Sequence, residues 1–289
     1  SQFDKAGEFH DGLARVEISG KWGFIDTSGN MVVNPRFADA GDFHDGRAHV
    51  KHDGKYGYIN KSGEFVIDPA YSNAAHFVEG KACVKQDGQW GYITPDGKWI
   101  ASPQFSEAFA FSDGLARVKT GGPVGGKFGY IDESGTMVIN PQFGECGDYA
   151  DGLAPVKKDG KWGYINKSGE MAIKPQFGEA NAFVDGRARV RVGGMIGGQY
   201  GYIDKSGTLV INAKYEDARC FHDGRAAVEI DGKWGYIDPS GALVVQPKYT
   251  DAQQFRDGLA CVRVGGTLGL GGDLVWIDKA GNVVWKSSS

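Results

Sequence analysis

The chain repeats itself, and the repeat limits what it can fold into. Residues 161–169, Lys-Trp-Gly-Tyr-Ile-Asn-Lys-Ser-Gly, return with small changes at 21–29, 55–63, 89–97, 127–135, 199–207 and 233–241, and in a worn copy at 273–281. An acidic-Gly step keeps the phase. Gly12, Gly46, Gly80, Gly114, Gly152, Gly186, Gly224 and Gly258 each follow Asp or Glu, at intervals of 34, 34, 34, 38, 34, 38 and 34 residues. Eight repeats thus fill the 289 residues. A copy this short cannot bury its own apolar face, so each must stack on its neighbours.

Three strands are predicted in each repeat. In the first, an Ala and a Val column (Ala14 and Val16 through Ala260 and Val262) alternates with more polar positions, the pattern of a half-buried strand. A polar-Gly turn such as Asp159-Gly160 then signals a hairpin. The second strand, Trp-Gly-Tyr-Ile-Asp, sets Trp234 and Tyr236 on one face and Ile237 on the other, so both sides are covered. Its Gly235 is expected to admit an aromatic from a neighbouring repeat. After a Ser-Gly turn, a β-branched third strand such as 209–211 follows. It is expected to stop at proline (Pro35, Pro69, Pro103, Pro141, Pro175, Pro247). The run Phe37-x-x-Ala40-x-x-Phe43 has period three and reads as a 3₁₀ or polyproline II connector packed under the sheet. No helix of ordinary length is predicted.

The expected fold is all-β: one domain over 1–289, made of eight three-stranded repeats beginning near 9, 43, 77, 111, 149, 183, 221 and 255. Residues 1–8 hold the connector that would follow the strand at 283–286, so they are expected to complete the last repeat. This phase favours closure as an eight-bladed β-propeller, with an open β-superhelix as the alternative. A flat, disc-like particle in small-angle scattering supports the ring, and an elongated one excludes it.

The Lys-Trp-Gly-Tyr-Ile-Asp core, with its flanking Asp-Gly and Ser-Gly turns, resembles the bacterial WG (KWG) repeat family over almost the whole chain. Tyr56, Phe128 and Tyr200 stand in the Trp column, and Leu274-Val275-Trp276 replaces Trp-Gly-Tyr in the last copy. The resemblance implies a bacterial β-repeat interaction module, often associated with the cell envelope. It brings no catalytic residues.

A net charge of −4 with both signs interspersed argues against nucleic acid as partner. No apolar run reaches 18 residues, so no membrane span is expected. The opening Ser1-Gln2-Phe3-Asp4 is not a signal peptide. The chain is therefore cytoplasmic or exported with its leader removed, and the resemblance leans towards the envelope. Cys83, Cys146, Cys220 and Cys261 form no CxxC pair and read as small buried thiols rather than zinc ligands or disulfides.

Three hairpin tips are longer than the rest: 120–126, 192–198 and 264–272, in the fourth, sixth and eighth repeats. They join equivalent strands, and each holds apolar residues between glycine pairs. Val124, Met195, Ile196, Leu268 and Leu270 are the candidate partner-binding residues, against the plainer expectation of tips folded back on their own sheets. The tips lack the helix and Lys-Ser/Thr of a phosphate cradle. The repeated Trp and Tyr columns read as core, whereas Trp99, Trp276 and Trp285 fall outside the main Trp column and are the candidates for stacking on a glycan. His10, His44 and His222 share one column before Asp-Gly. Repeat spacing is expected to exceed the roughly 2 Å reach of a metal ligand, so they read as polar turn residues. The Arg/Lys columns (Arg15, Arg117, Arg189; Lys51, Lys85, Lys119, Lys157, Arg191, Arg263) read as outward strand charge. The column Asp26, Asp132, Asp204, Asp238 reads as turn caps. No nucleophile–base pair, paired carboxylates or metal motif stands out, so no catalytic residue, cofactor or metal is expected. The expected function is a non-enzymatic monomeric scaffold for another macromolecule, a protein in the first instance. The alternative is a lectin-like, carbohydrate-binding propeller.

Overall fold

A computed structural model describes residues 2–122, 124–194, 197–266 and 271–287. Among the described residues there is no helix, and the strands form eight small antiparallel sheets in chain order. The first sheet shows the plan. β1 (Lys5–His10), β2 (Leu13–Ile18), β3 (Lys21–Asp26) and β4 (Met31–Phe37) pair in sequence order. Seven sheets have four strands. The fifth has three (Leu153–Lys158, Lys161–Asn166, Met171–Phe177), with bridges Cys146 to Val156 and Ala150 to Leu153 where the first strand would lie. The chain divides into two compact bodies, 1–145 and 146–289.

Local chemistry sets the hairpins. Between β1 and β2, Asp11 and Gly12 have φ of 52° and 84°, as a two-residue I′ turn requires at both central positions. Asp is among the few non-glycine residues that enter this region readily. Between β3 and β4, the Asp26 carboxylate accepts hydrogen bonds from the backbone N–H groups of Ser28 (2.9 Å) and Asn30 (2.8 Å). Asp132, Asn166, Asp204, Asp238 and Asp278 do the same in their sheets, so the Asp column caps turns as expected.

Each sheet is apolar on both faces. In the first, Leu13, Phe24, Val33 and Phe37 pack against Ala40, Phe43, Ala48, Val50 and Ile59 of the second. The same layer recurs twice more in the first body and three times in the second. The residue at its centre is the second aromatic of the aromatic-Gly-aromatic triplet, Phe24 in the first sheet and tyrosine in those that follow. Tyr58 and Tyr202 are 0% exposed, and each meets a phenylalanine of the next sheet edge-on, Phe77 at 4.9 Å and Phe221 at 4.8 Å. Their hydroxyls donate to backbone carbonyls of that sheet, Ala75 and Arg219, both at 2.7 Å.

Four sequence expectations need correction. The period-three run is not a separate connector: it straddles two sheets. Phe37 ends β4, whereas Asp39–Ala40 pairs with Lys51 and Val50 as the first strand of the next sheet. Sheets therefore begin four residues earlier than predicted (39 against 43, 73 against 77) and have a fourth strand. Residues 1–8 are expected to complete the last repeat, but Lys5–His10 pairs with β2 in the first sheet. Proline does not end the last strand either. β4 runs through Pro35 to Phe37, and its register slips so that three residues, 34–36, face the single Gly23. A bulge is where a missing N–H is tolerated. That bulge also explains the glycine: a Cβ on the equivalent Gly57 would lie 2.6 Å from the Ile67 carbonyl oxygen and 2.7 Å from the Pro69 nitrogen. The close approach comes from backbone of the same sheet, not from a neighbour's ring.

Candidate functional site

Four features carry the chemistry of the surface: the long tips, the exposed tryptophans, a histidine stack and an apolar hollow. Val124 sits on the tip between strands Leu115–Thr120 and Lys127–Asp132 and is 93% exposed, so it does not fold back onto its sheet. Met195, Ile196, Leu268 and Leu270 lie outside the described residues. The glycine pairs have a plain cause. A Cβ on Gly121 would come within 3.1 Å of the Gly126 Cα, and one on Gly193 within 3.0 Å of the Gly198 Cα. The two chains of each neck touch, and only glycine permits that.

The tryptophans separate by environment. Trp22, Trp90 and Trp162 are half-buried beneath Arg15, Lys85 and Lys157, whose cations lie 5.3, 5.9 and 5.9 Å from the ring centres. Trp234 is buried under Arg219 at 5.2 Å. The basic columns are thus engaged by the protein's own rings, and by carboxylates at Lys119–Glu107 (2.7 Å), Arg191–Glu179 (3.1 Å) and Arg189–Asp217 (3.4 Å). Trp99 turns back over Gly91 and meets Tyr71 edge-on at 6.0 Å. Trp276 and Trp285 are directly opposed across two strands of the last sheet, at 40% and 54% exposure.

The histidines are closer than expected. His10 and His44 have ring centres 5.1 Å apart, and His44 and His76 4.4 Å apart, with planes tilted by 37° and 30°. The turns that carry them are adjacent rungs. The Gly46 N–H donates to the Asp11 carboxylate at 2.8 Å, and the Gly80 N–H to Asp45 at 3.2 Å. The second body repeats the rung at Gly186–Asp151 and Gly258–Asp223, both 2.8 Å. Column neighbours His10 and His44 thus lie in ring contact, on turns that the rungs join. His76 was invisible to the column count, since it lies three residues before its acidic-Gly step rather than one. His49 faces Gly41 so tightly that a Cβ there would collide with the ring. Burial holds its pKa down at about 4. His76 is also lowered, by burial first and then by the charges of His44 and His10. Among the described residues, no three His, Cys, Asp or Glu side chains converge to hold a metal ion.

Cys83, Cys146 and Cys261 are buried, Cys220 is half-buried, and all four are free thiols. Burial pushes the Cys83 thiol up to about 11, so it stays protonated and inert. Lys248, Tyr249, Val264, Val275, Val283 and Lys286 line an open apolar hollow of about 370 Å³ in the last two sheets. It lies where the pattern lapses, with Val275 in the glycine column and Ser287 in the proline column.

Eight consecutive stretches, 1–22, 22–56, 56–90, 90–122, 128–162, 162–195, 200–234 and 234–267, match the WG containing repeat. The chain belongs to the WG-repeat family. The first match ends at Trp22 and the other seven each begin at a Trp-column residue, so the family's period is the sheet-to-sheet step seen here. No curated protein sequence matches the chain. Among solved structures, this WG-repeat protein is similar to a eukaryotic initiation factor at 11% identity and TM-score 0.67, over 99% of this chain and 87% of that one. At that identity the likeness shows the fold alone. It is also similar to Kluyveromyces lactis Hsv2p, at 8% identity and TM-score 0.45 over 99% of each chain. A third match is a prolyl endopeptidase, at 12% and 0.44 over 86% of this chain and 49% of that one. Among the described residues, no helix is long and apolar enough to cross a membrane.

Proposed function

We propose that this WG-repeat protein is a non-enzymatic scaffold that grips another protein through the hairpin tips of its fourth, sixth and eighth repeats. Within each body the stacked sheets supply a frame, as repeat arrays commonly do for binding. The observation that carries the reading is Val124. Its apolar side chain stands 93% exposed beyond a glycine-pinched neck, open for a partner to cover. The test replaces 121–126, 193–198 and 265–272 with two-residue turns like those of the other repeats and captures partners from the native host. Loss of a protein that the intact chain retains supports the reading, and undiminished capture ends it.

A second reading, carbohydrate binding, rests on Trp276 and Trp285. Two half-exposed indoles side by side on one sheet face offer the flat apolar surface on which a sugar ring stacks. Trp99, folded over Gly91, gives that reading less support. A glycan array with the intact chain and with Trp285→Ala separates the two. Defined sugar hits lost in the variant favour the lectin, and a blank array beside a captured protein favours the scaffold.

A further inference from the structure

We infer that the histidine stack makes the first body acid-responsive: protonation of His10, His44 and His76 loosens the Asp–Gly rungs that join its first three sheets. The geometry comes first. The rings come from three consecutive sheets and lie 5.1 and 4.4 Å apart. His10 precedes Asp11, and His44 precedes Asp45, the two carboxylates that accept the rung hydrogen bonds. Neutral imidazoles stack without penalty, whereas imidazolium ions at this spacing repel one another. The repulsion therefore acts on the same turns that clamp sheet to sheet.

The surroundings offer little compensation. Asp42 faces the stack, but Arg15 Nε holds its carboxylate at 3.0 Å. Asp39, near His49, accepts the Tyr56 hydroxyl at 2.6 Å, and the rings of Tyr56 and Tyr58 flank His49 at 6.0 and 6.4 Å. Asp11 and Asp45 are engaged by the rung amides. Arg47, on the same turn as His44, and Lys61, whose Nζ donates to the Asp11 carbonyl, add positive charge. On the third turn, beside Glu79, Lys81 is paired with Glu133 at 2.7 Å. Burial and these neighbours hold His49 and His76 below the ordinary imidazole value. The sign follows from that: the unfolded chain binds protons more readily, so this stability is full above about pH 6.5 and is lost as pH falls through the folded values.

The molecule carries its own control. In the second body the turn position of His10 and His44 holds Ala150, Val184, His222 and Arg256, and the position of His76 holds Asp148, Ala182, Cys220 and Gln254. One histidine cannot stack, yet the rungs Gly186–Asp151 and Gly258–Asp223 are the same. Amide hydrogen exchange at pH 7.5 and 5.0, corrected for intrinsic rates, tests the inference on the intact chain. The Gly46 and Gly80 amides should lose protection about tenfold on acidification, the order expected for one added like-charge contact of this length, while Gly186 and Gly258 keep theirs. The loss should vanish in the His10→Gln/His44→Gln/His76→Gln variant. Equal behaviour of all four amides, or the same loss in the variant, overturns the inference. If the variant does not fold, imidazole NMR titration of the unchanged chain decides. Broadened titrations in which the rings charge one after another support it, and three independent titrations at the ordinary value sink it.

Discussion

At the scale of single residues, the tyrosine outweighs the tryptophan for which the family is named. Tyr202 is wholly buried, packs edge-on against Phe221 and donates to the Arg219 carbonyl, whereas Trp162 is only half-buried and lies under a lysine. Tyr202→Phe is expected to cost about 1–1.5 kcal/mol, since it leaves a buried carbonyl without its donor. Tyr202→Ala should cost about 3–5 kcal/mol, and Trp162→Ala clearly less. Urea unfolding measures all three, and a larger loss at Trp162 would reverse the assignment. Glycine in the second column is as demanding. Gly57→Ala sets a Cβ against fixed backbone at 2.6 and 2.7 Å, so a loss of about 2–3 kcal/mol is expected, again by urea midpoint. Its place between two aromatics of the repeat, Tyr56 and Tyr58, marks this glycine in the sequence. What it admits was not legible, because the bulge opposite arises from a register slip between two strands.

At the scale of elements, turn chemistry was the most legible. Asp-Gly and Ser-Gly steps announced the hairpins, and the Asp column announced its caps, because both act within a few residues along the chain. These caps set an acid limit. Side-chain or backbone hydrogen bonds from the turn hold Asp26, Asp132, Asp204, Asp238 and Asp278 below the ordinary carboxylate value. Their contribution is present above about pH 4 and is lost as pH falls through the lowered values. Asn60 and Asn166 occupy the same position and cap in the same way. Asp204→Asn should therefore keep the turn while reducing the fall in urea midpoint between pH 5 and 2, and an unchanged slope would refute the assignment. The first strand was missed for a physical reason. Asp39–Ala40 is only two residues long, and its partner lies across a turn, so no periodicity marks it.

At the scale of the whole molecule, stability resides in the layers between sheets. No described residue of the three tips belongs to an inter-sheet core. Shortening all three to two-residue turns should leave the melting temperature within a few degrees of the original, since the flanking strands already reach the ordinary turn position. A collapse in calorimetry would mean that the tips are structural, and partner loss in the shortened chain would then say nothing about binding.

Repetition in the sequence by itself determined the all-β class, the number of repeats, the hairpins and the apolar columns. Each of these follows from residues within a few positions of one another, or from the need of a short copy to stack. The tertiary structure alone decided where one sheet ends and the next begins, that tyrosine rather than tryptophan fills the layer between them, and that three histidines meet. Those outcomes depend on register and on rungs between turns about 34 residues apart, distances in space that no linear pattern encodes.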